Sequence, residues 1–440
     1  MAALCGLFYE YENMATSKSV QFTFDGNTNA PQLISSQGAL VALLDAVLVN
    51  GYGSQAVATL VANNEGVITA SFNLTHNFKP GQILMIQGGS DSAFNGRFRV
   101  DTTQSNSLTF VEKLPGAKTA SGTITAKVAP LGYEIAFTDG AFKRAYKSLN
   151  PENAMYYIFD DNLWTGWSAS YAKICNVGIA FEMTDINTIV GLQCPYDAAN
   201  PNQNWQLSGS GSAAVPGWAK VVYGCWAQGV STHLSSGSAG NHTWSIIGND
   251  EGFYLCAASA PAGANPNKSA VCQYFGKYQS FTENSFNYLL CGNLKRSAAG
   301  NYQDINSTFL YPGGLLNDFR SDCKLLADST GVGISTGITP LLPYAGQYPT
   351  GSGISPVHIF DDTTGVSLLR IPFARQSDGV VEGELPFVHI ALQSRQHVSN
   401  RMGVYTQQVF RHSNGNHFVE INSLIGANTN ISSFFFELKD

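Results

Sequence analysis

The sequence predicts a mainly β protein. We expect an N-terminal arm with one short helix, a small β-sandwich or barrel-like module, and a larger β-sandwich-like domain with long loops rich in Gly, Pro and Ser. Short runs of β-branched and aromatic residues alternate with turn residues along most of the chain, and 44 glycines and 17 prolines separate these runs. A chain of 440 residues is too long to fold around one hydrophobic core of ordinary size. We therefore place the three parts at residues 1–54, 55–128 and 129–440.

The first part combines an extended arm with the one convincing helical pattern. Strand-forming residues stand near positions 20–24, and Pro31 disfavours a helix before residue 37. Gly51 is expected to cap the C-terminus of the helix, and Ser35 or Ser36 its N-terminus. Between residues 37 and 50, apolar side chains recur at the spacing of one helical face: Leu40, Leu43, Leu44, Val47 and Leu48.

The second part reads as a compact series of hairpins. Gly and Asn stand at its corners, where short turns need a positive φ angle. The expected strands cover residues 67–72, 82–87, 97–101, 107–112 and 122–128.

The motifs of this part carry a family resemblance. THNFKPGQILMIQG begins at Thr75, FNGRFRV at Phe94, LTF at Leu108 and SGTITA at Ser121. Together they resemble a small β module that recurs in virion proteins of tailed bacteriophages, especially around tails and baseplates. The hairpin sequence WSIIGNDEGFYL, which begins at Trp244, is similar to a segment of the same family and matches it less specifically. The resemblance implies a phage structural protein.

The third part is expected to be one large β domain with inserted loops. Residues 128–134 are expected to connect it to the module. The pattern of residues 174–184 predicts one long strand. Residues 243–248 and 252–258 are predicted to form a hairpin across Asn249-Asp250. The most irregular stretch, residues 329–355, is rich in Gly and Pro and is typical of a functional loop or interface arm.

The charge content restricts the classes of partner. The net charge is −7, and no basic run offers the clustered cations that nucleic-acid binding needs. No stretch is apolar for long enough to span a membrane. Charged residues make up only 12% of the chain, about half the usual share. Such a neutral polar surface suits a protein that is covered by neighbouring molecules in an assembly. The alternative interpretation of the low charge content is a secreted β protein with a polar surface.

The sequence indicates no catalytic or metal site, and we expect no cofactor. In the pairs Asp160-Asp161 and Asp361-Asp362, adjacent strand residues face opposite sides, so neither pair can flank a glycosidic bond. Gly209-Ser210-Gly211 lacks the strand-to-helix elbow of a nucleophilic serine. His412 and His417 flank an Asn-Gly turn without further ligands. The eight cysteines form no Cys-x-x-Cys pair, and both buried thiols and disulfides remain open.

The tryptophans are the candidate contact residues. All six fall within 81 residues, and several stand beside Gly, Ser or Asn. They can fill the core, anchor subunit contacts or stack on sugar rings. These candidates are Trp164, Trp167, Trp205, Trp218, Trp226 and Trp244.

The sequence and the resemblance together predict a non-enzymatic structural component of a tailed-phage virion, associated with the tail, baseplate or neck and assembled in the host cytoplasm. Its partners are expected to be other virion proteins and further copies of itself, because closed symmetric assembly is the usual solution. One alternative is a receptor- or glycan-binding virion protein that uses the Trp-rich region, with a host-surface glycan as partner. A second is a capsid-decorating protein.

Overall fold

The computed structural model describes residues 19–194 without interruption and much of the remaining chain in shorter pieces. These pieces are residues 205, 209, 219–224, 237, 239–261, 270–281, 286–291, 293–294, 323–325, 337–340, 359–360, 367–375, 380–391, 407–412, 415–425 and 430–440. Strands dominate the described residues, with one short α-helix near the N-terminus, so the predicted mainly β class is confirmed.

The helical elements lie near the N-terminus. Helix α1 is Ala39–Leu44, and it continues as a π-helical turn over Asp45–Asn50. A 3-10 turn covers Ser92–Phe94. The strands, in chain order, are β1 (Gln21–Phe24), β2 (Tyr52–Ala56), β3 (Thr59–Ala62), β4 (Val67–Ser71), β5 (Ile83–Gln87), β6 (Gly96–Thr103), β7 (Ser107–Lys113), β8 (Lys118–Thr119), β9 (Thr125–Val128), β10 (Tyr133–Asp139), β11 (Lys143–Ser148), β12 (Tyr156–Asp160), β13 (Lys173–Asp185), β14 (Thr188–Cys194), β15 (Ala219–Tyr223), β16 (His242–Asn249), β17 (Gly252–Pro261), β18 (Ala270–Gln279), β19 (Phe286–Cys291), β20 (Asn293–Leu294), β21 (Cys323–Leu325), β22 (Gly337–Pro340), β23 (Ile359–Phe360), β24 (Ser367–Arg375), β25 (Val381–Ala391), β26 (Gln408–Arg411), β27 (His417–Ile425) and β28 (Asn430–Leu438).

The helix forms where its apolar spacing predicts, but its N-terminus is capped differently. All five periodic side chains are fully buried, and Gly51 ends the π-helical turn at φ 67°. The expected cap by Ser35 or Ser36 is wrong. Gly38 occupies the cap position at φ 85° without a side-chain cap of its own. Its N–H donates instead to the Asp161 carboxylate at 2.8 Å, because the start of the helix is packed against the end of β12.

The module is one eight-stranded antiparallel sheet with the order β2-β9-β5-β6-β7-β4-β3-β8. Burial alternates along β4 and β9, so one face of these strands packs on the core while the other is more exposed. Strand β5 is buried on both faces from Ile83 to Ile86. His76 is buried in this core, where its ring contacts Phe72 and Phe78 and its Nε2 lies 3.1 Å from the Ser107 carbonyl. The expected strands of the module are confirmed.

Residues 133–194 and 219–223, together with β20, form a seven-stranded sheet with the order β10-β11-β12-β13-β15-β20, and β14 pairs with β13. The long predicted strand is confirmed as β13. The predicted connector is too long, because β10 already begins at Tyr133. Tyr133 is buried against Tyr157 and Phe253, so tertiary packing extends the strand into a stretch that Pro130 and Gly132 interrupt.

The largest sheet has thirteen described strands, in the order β1-β16-β17-β18-β19-β21-β22-β24-β25-β28-β27-β26 with β23 beside β24. The predicted hairpin is confirmed as β16 and β17. The arm strand β1 pairs with β16, so residues near the N-terminus complete the edge of this sheet. Its central strands separate two cores. One is shared with the module and helix α1, and the other lies against β25, β27 and β28.

Arg99 joins the module to the largest sheet. It is 3% exposed and donates to the carbonyls of Val20, Gly81 and Lys439 at 3.0–3.1 Å. It also pairs with the Asp440 carboxylate at 2.6 Å. The strands of residues 52–128 form one sheet, whereas those after residue 132 divide between two. The domain boundaries themselves stay a prediction.

Candidate functional site

Three of the six candidate tryptophans share one face of the seven-stranded sheet. Ile174, Asn176 and Gly178 alternate along β13 on that face, with Trp164 and Trp167 beside the first two and Trp205 over the third. Trp244 is fully buried, and its indole N–H donates to the Pro31 carbonyl at 2.9 Å, so it is a core residue. Trp218 and Trp226 lie outside the described residues.

A cavity of about 150 Å³ opens between this face and the loop that follows β12. Asp160 and Asn176 are direct cross-strand partners and form part of its floor with Ile174. The wall is supplied by Asn162, Leu163, Trp164 and Trp167, and Gln37 closes the side next to helix α1. We call this cavity the Trp164 pocket.

The aromatic wall is held in place from within its own loop. Trp167 is 7% exposed, and its indole N–H donates to the Ala172 carbonyl at 2.8 Å. The Trp167 amide donates to the Trp164 carbonyl, which makes a tight turn between the two. The rings lie almost parallel, 11° apart, with their centroids separated by 6.4 Å. Trp164 therefore rests on a buried partner while its own side chain stays partly exposed.

The polar groups of the pocket are unequally satisfied. Asp160 lies 3.5 Å from the Lys143 ammonium and accepts two hydrogen bonds from Asn162. Asn176 is 5% exposed, yet its buried side-chain oxygen Oδ1 accepts no hydrogen bond. An unpartnered buried polar group of this kind costs about 1–3 kcal/mol. Among the buried polar atoms of the pocket in the described residues, the folded chain leaves the Asn176 Oδ1 unsatisfied.

Asp161 lies behind the pocket and has a structural role. It accepts hydrogen bonds from Gly38 N–H, from the Tyr223 hydroxyl at 2.5 Å and from the Gln37 side chain. Burial raises its pKa from 3.8 to about 7, and the hydrogen bonds from Tyr223 and Gly38 oppose this shift. The side chains of Asp160 and Asp161 therefore point to opposite sides of the sheet, as the alternation of side chains along a strand predicts.

Trp205 covers the neighbouring part of the same face by packing. A side chain at Gly178 would place its Cβ 2.8 Å from the Trp205 ring, so glycine allows the ring to approach the strand. The indole N–H donates to Gln193 at 3.3 Å. Trp205 therefore packs on β13 and does not contribute to the Trp164 pocket.

A larger cavity of about 360 Å³ lies beside β18 and β25, away from the tryptophans. His389, Lys277 and Phe387 line it. Burial lowers the pKa of His389 to about 4, so its ring is neutral at pH 7. Acidic and basic side chains alternate around the opening, among them Glu384 and Arg370, which pair with each other at 3.2 Å. The cavity has no uniform charge that would select a ligand.

Of the other aspartate, serine and histidine groups considered from the sequence, the structure describes only the histidine pair. His412 and His417 stand at the ends of the hairpin between β26 and β27, with the His412 ring against Phe418. Asp361-Asp362 and Ser210 lie outside the described residues. Within the described residues no group of three metal-ligating side chains occurs, and no helix there is long and apolar enough to cross a membrane.

The described cysteine side chains are buried thiols. They are Cys175, Cys194, Cys256 and Cys272. Cys256 and Cys272 are direct cross-strand partners of β17 and β18, and burial raises the pKa of the Cys256 thiol. These four residues agree with the alternative of buried thiols and not with disulfides. The side chains of Cys5, Cys225, Cys291 and Cys323 lie outside the described part.

Sequence reasoning found the aromatic wall of the pocket and missed its amides. The tryptophans stand out by their rarity, whereas Asn162 and Gln37 are ordinary residues of a polar chain. Asn176 did carry a signal. It interrupts the apolar run from Ile174 to Ile179, and a polar residue at such a position has to find a partner or a function.

Comparison with known proteins gives little further information. No family model matches the chain, and no curated protein matches it significantly. Among solved structures, a phage phi92 endosialidase matches at 12% sequence identity and a TM-score of 0.15, covering 88% of this chain and 52% of that one. The chain spans about half the length of that protein. At this TM-score the similarity supports no statement about fold or activity.

Proposed function

We propose that the chain is a non-enzymatic structural component of a tailed-phage virion, associated with the tail, baseplate or neck. It acts by multivalent protein–protein contacts, as one of several identical copies. The observation that carries this proposal is the scarcity of charge, 12% of all residues, on a chain that also exposes large apolar side chains. Leu74 is 79% exposed, Phe281 56% and Leu163 44%.

Covering a protein surface with a neighbouring molecule costs free energy wherever a charged group loses its water. Each ionised side chain that loses its water without gaining a partner costs several kcal/mol, whereas amides, hydroxyls and glycines can form hydrogen bonds across an interface at little cost. A chain with few charges can therefore be covered on several sides. The motifs of the β module support the same assignment, because their resemblance is to virion proteins.

The test is the composition of the particle. We expect mass spectrometry of virions purified from the phage that encodes the chain to detect it in a fixed copy number. Gold-labelled antibodies should mark the tail side. Labelling of the head would instead support the capsid-decorating alternative. Absence of the chain from washed, infectious particles would contradict the whole proposal.

The non-enzymatic part of the proposal needs its own measurement. In the described residues, Asp160 is paired with Lys143 and Asp161 is buried, so neither is placed as one of two facing carboxylates. We expect no release of reducing ends when the purified chain is incubated with host polysaccharide. Sustained release that scales with the amount of chain would overturn this part while leaving the virion assignment in place.

A further inference from the structure

The Trp164 pocket combines an aromatic surface with groups that can form hydrogen bonds. Trp164 is partly exposed and makes no hydrogen bond through its indole N–H within the described residues. Its ring is fixed against the buried Trp167. A flat ring held in this way offers an apolar face to a ligand without a large loss of side-chain entropy on binding.

The floor of the pocket supplies both a donor and an acceptor. The amide of Asn176 lies at the base of the cavity, and its oxygen Oδ1 is buried and accepts no hydrogen bond. The amide oxygen of Asn162, at the rim, is also without a donor there, because only its N–H groups are engaged with Asp160. A ligand with several hydroxyl groups satisfies such paired donors and acceptors, whereas a purely apolar ligand leaves them unsatisfied.

The charges around the pocket select against ionic ligands. The negative charge of Asp160 is balanced by Lys143 at 3.5 Å and by two hydrogen bonds from Asn162, so little attraction remains for a cation. An anion would meet the Asp160 carboxylate directly, while Lys143 is already occupied by Asp160 and by Asn187. The volume of about 150 Å³ has room for a single ring and is below the range of about 300–1,000 Å³ that encloses larger ligands.

We propose that the Trp164 pocket is a binding subsite for one uncharged sugar ring of a polysaccharide, stacked on Trp164 and hydrogen-bonded by Asn176 and Asn162. This activity goes beyond assembly, and it holds or fails independently of where the chain resides. The remainder of the polysaccharide extends into solvent over Leu163, which is 44% exposed at the rim.

The experiment uses the full chain and free sugars. Saturation-transfer NMR is recorded with uncharged probes, namely glucose, galactose, rhamnose and N-acetylglucosamine, and with two acidic probes, glucuronic acid and N-acetylneuraminic acid. We expect transfer to at least one uncharged sugar and none to the acidic ones. Titration of the binding sugar should also change the indole fluorescence.

Variants connect the signal to the pocket. Trp164→Ala should weaken binding at least tenfold, which corresponds to about 1.4 kcal/mol. Asn176→Leu keeps the size of the side chain and removes its amide, and it should weaken binding about threefold to tenfold. Trp205→Ala is the matched control, because it removes a tryptophan from the same face outside the pocket and should leave the affinity within twofold. Circular dichroism verifies that each variant is folded.

Three results would overturn the proposal. The first is the absence of a signal from every uncharged sugar. The second is binding of an acidic sugar, or of choline as a cationic probe, at least as strong as that of the uncharged ones. The third is an affinity that Trp164→Ala and Asn176→Leu both leave unchanged, or that only Trp205→Ala removes.

Discussion

Strand β7 of the module and the central strands of the largest sheet bury their residues in different ways. In β7 of the module, Leu108 and Phe110 face the core while Val111 is 41% exposed. In β16, the successive residues Ile246 and Ile247 are both fully buried, one in each of two cores. Strand β7 is covered on one face, and β16 on both.

This difference decides what each region tolerates. A strand covered on one face has every second position free for polar or mobile side chains. A strand covered on both faces has none, and its polar residues must be satisfied inside the protein. Gln273 of β18 shows this, because it is 2% exposed and donates to the Lys220 carbonyl of the neighbouring sheet at 2.9 Å.

The largest expected effect is at Trp244, on a strand covered on both faces. Trp244→Ala removes a fully buried ring that contacts Tyr52 and hydrogen-bonds Pro31, so it should lower the free energy of unfolding by about 3–5 kcal/mol in urea denaturation. The matched variant Trp164→Ala, on a face open to solvent, should cost no more than about 1.5 kcal/mol. Equal losses would contradict the distinction between the two kinds of surface.

The second prediction concerns a charge buried between elements. The pKa of Asp161 is about 7 in the folded chain and near 3.8 when unfolded, so the folded state binds more protons between these values. Its contribution to stability is therefore present below about pH 4 and is lost as the pH rises to 7. Relative to wild type, Asp161→Asn should gain up to about 4 kcal/mol over this range, at 1.36 kcal/mol per pKa unit. Denaturation curves of both proteins at pH 4 and pH 8 measure the gain, and a pH-independent difference would refute the assignment.

The third prediction compares two arginines that bridge the module and the largest sheet. Arg99 is buried and satisfies three carbonyls, so Arg99→Met should cost about 2–3 kcal/mol. Arg411 makes an ion pair with Asp101 across the same boundary while its side chain is 58% exposed. Arg411→Met should cost less than about 1 kcal/mol. Thermal melting of the two variants side by side tests this, and a reversed order would mean that burial is not what matters at this boundary.

The smallest effect is expected on the open face of β7 in the module. Val111→Thr should change the free energy of unfolding by less than about 0.5 kcal/mol, because the position is exposed and threonine keeps the branched shape that suits a strand. Ile247→Thr is the matched change on β16 and places a hydroxyl in a closed core, so it should cost at least about 1 kcal/mol. Chemical denaturation of the two variants measures both changes. If neither variant changed the free energy of unfolding, the difference between β7 and β16 would be contradicted.

These contrasts also explain what the sequence could reveal. The alternation and turn residues of the module predict its strands, and the long apolar run predicts β13. Strand β2 was not predicted because its sequence, YGSQA, has little strand preference and is held by pairing with β9. The role of Asp161 at the start of helix α1 could not be predicted, because it joins residues 123 positions apart.

The same limit applies to the candidate site. Tryptophans are conspicuous in a sequence, so the wall of the Trp164 pocket could be anticipated. The register that sets Asn176 opposite Asp160 is a property of strand pairing between β12 and β13. It is therefore known only once the sheet is formed.

The most direct test of the account is the mass of the purified chain in solution. A chain with so few charges is expected to be covered by copies of itself, so sedimentation at micromolar concentration and physiological salt should give a discrete multiple of 47.2 kDa. A single species of 47.2 kDa that persists at high concentration, with no larger assembly, would contradict it.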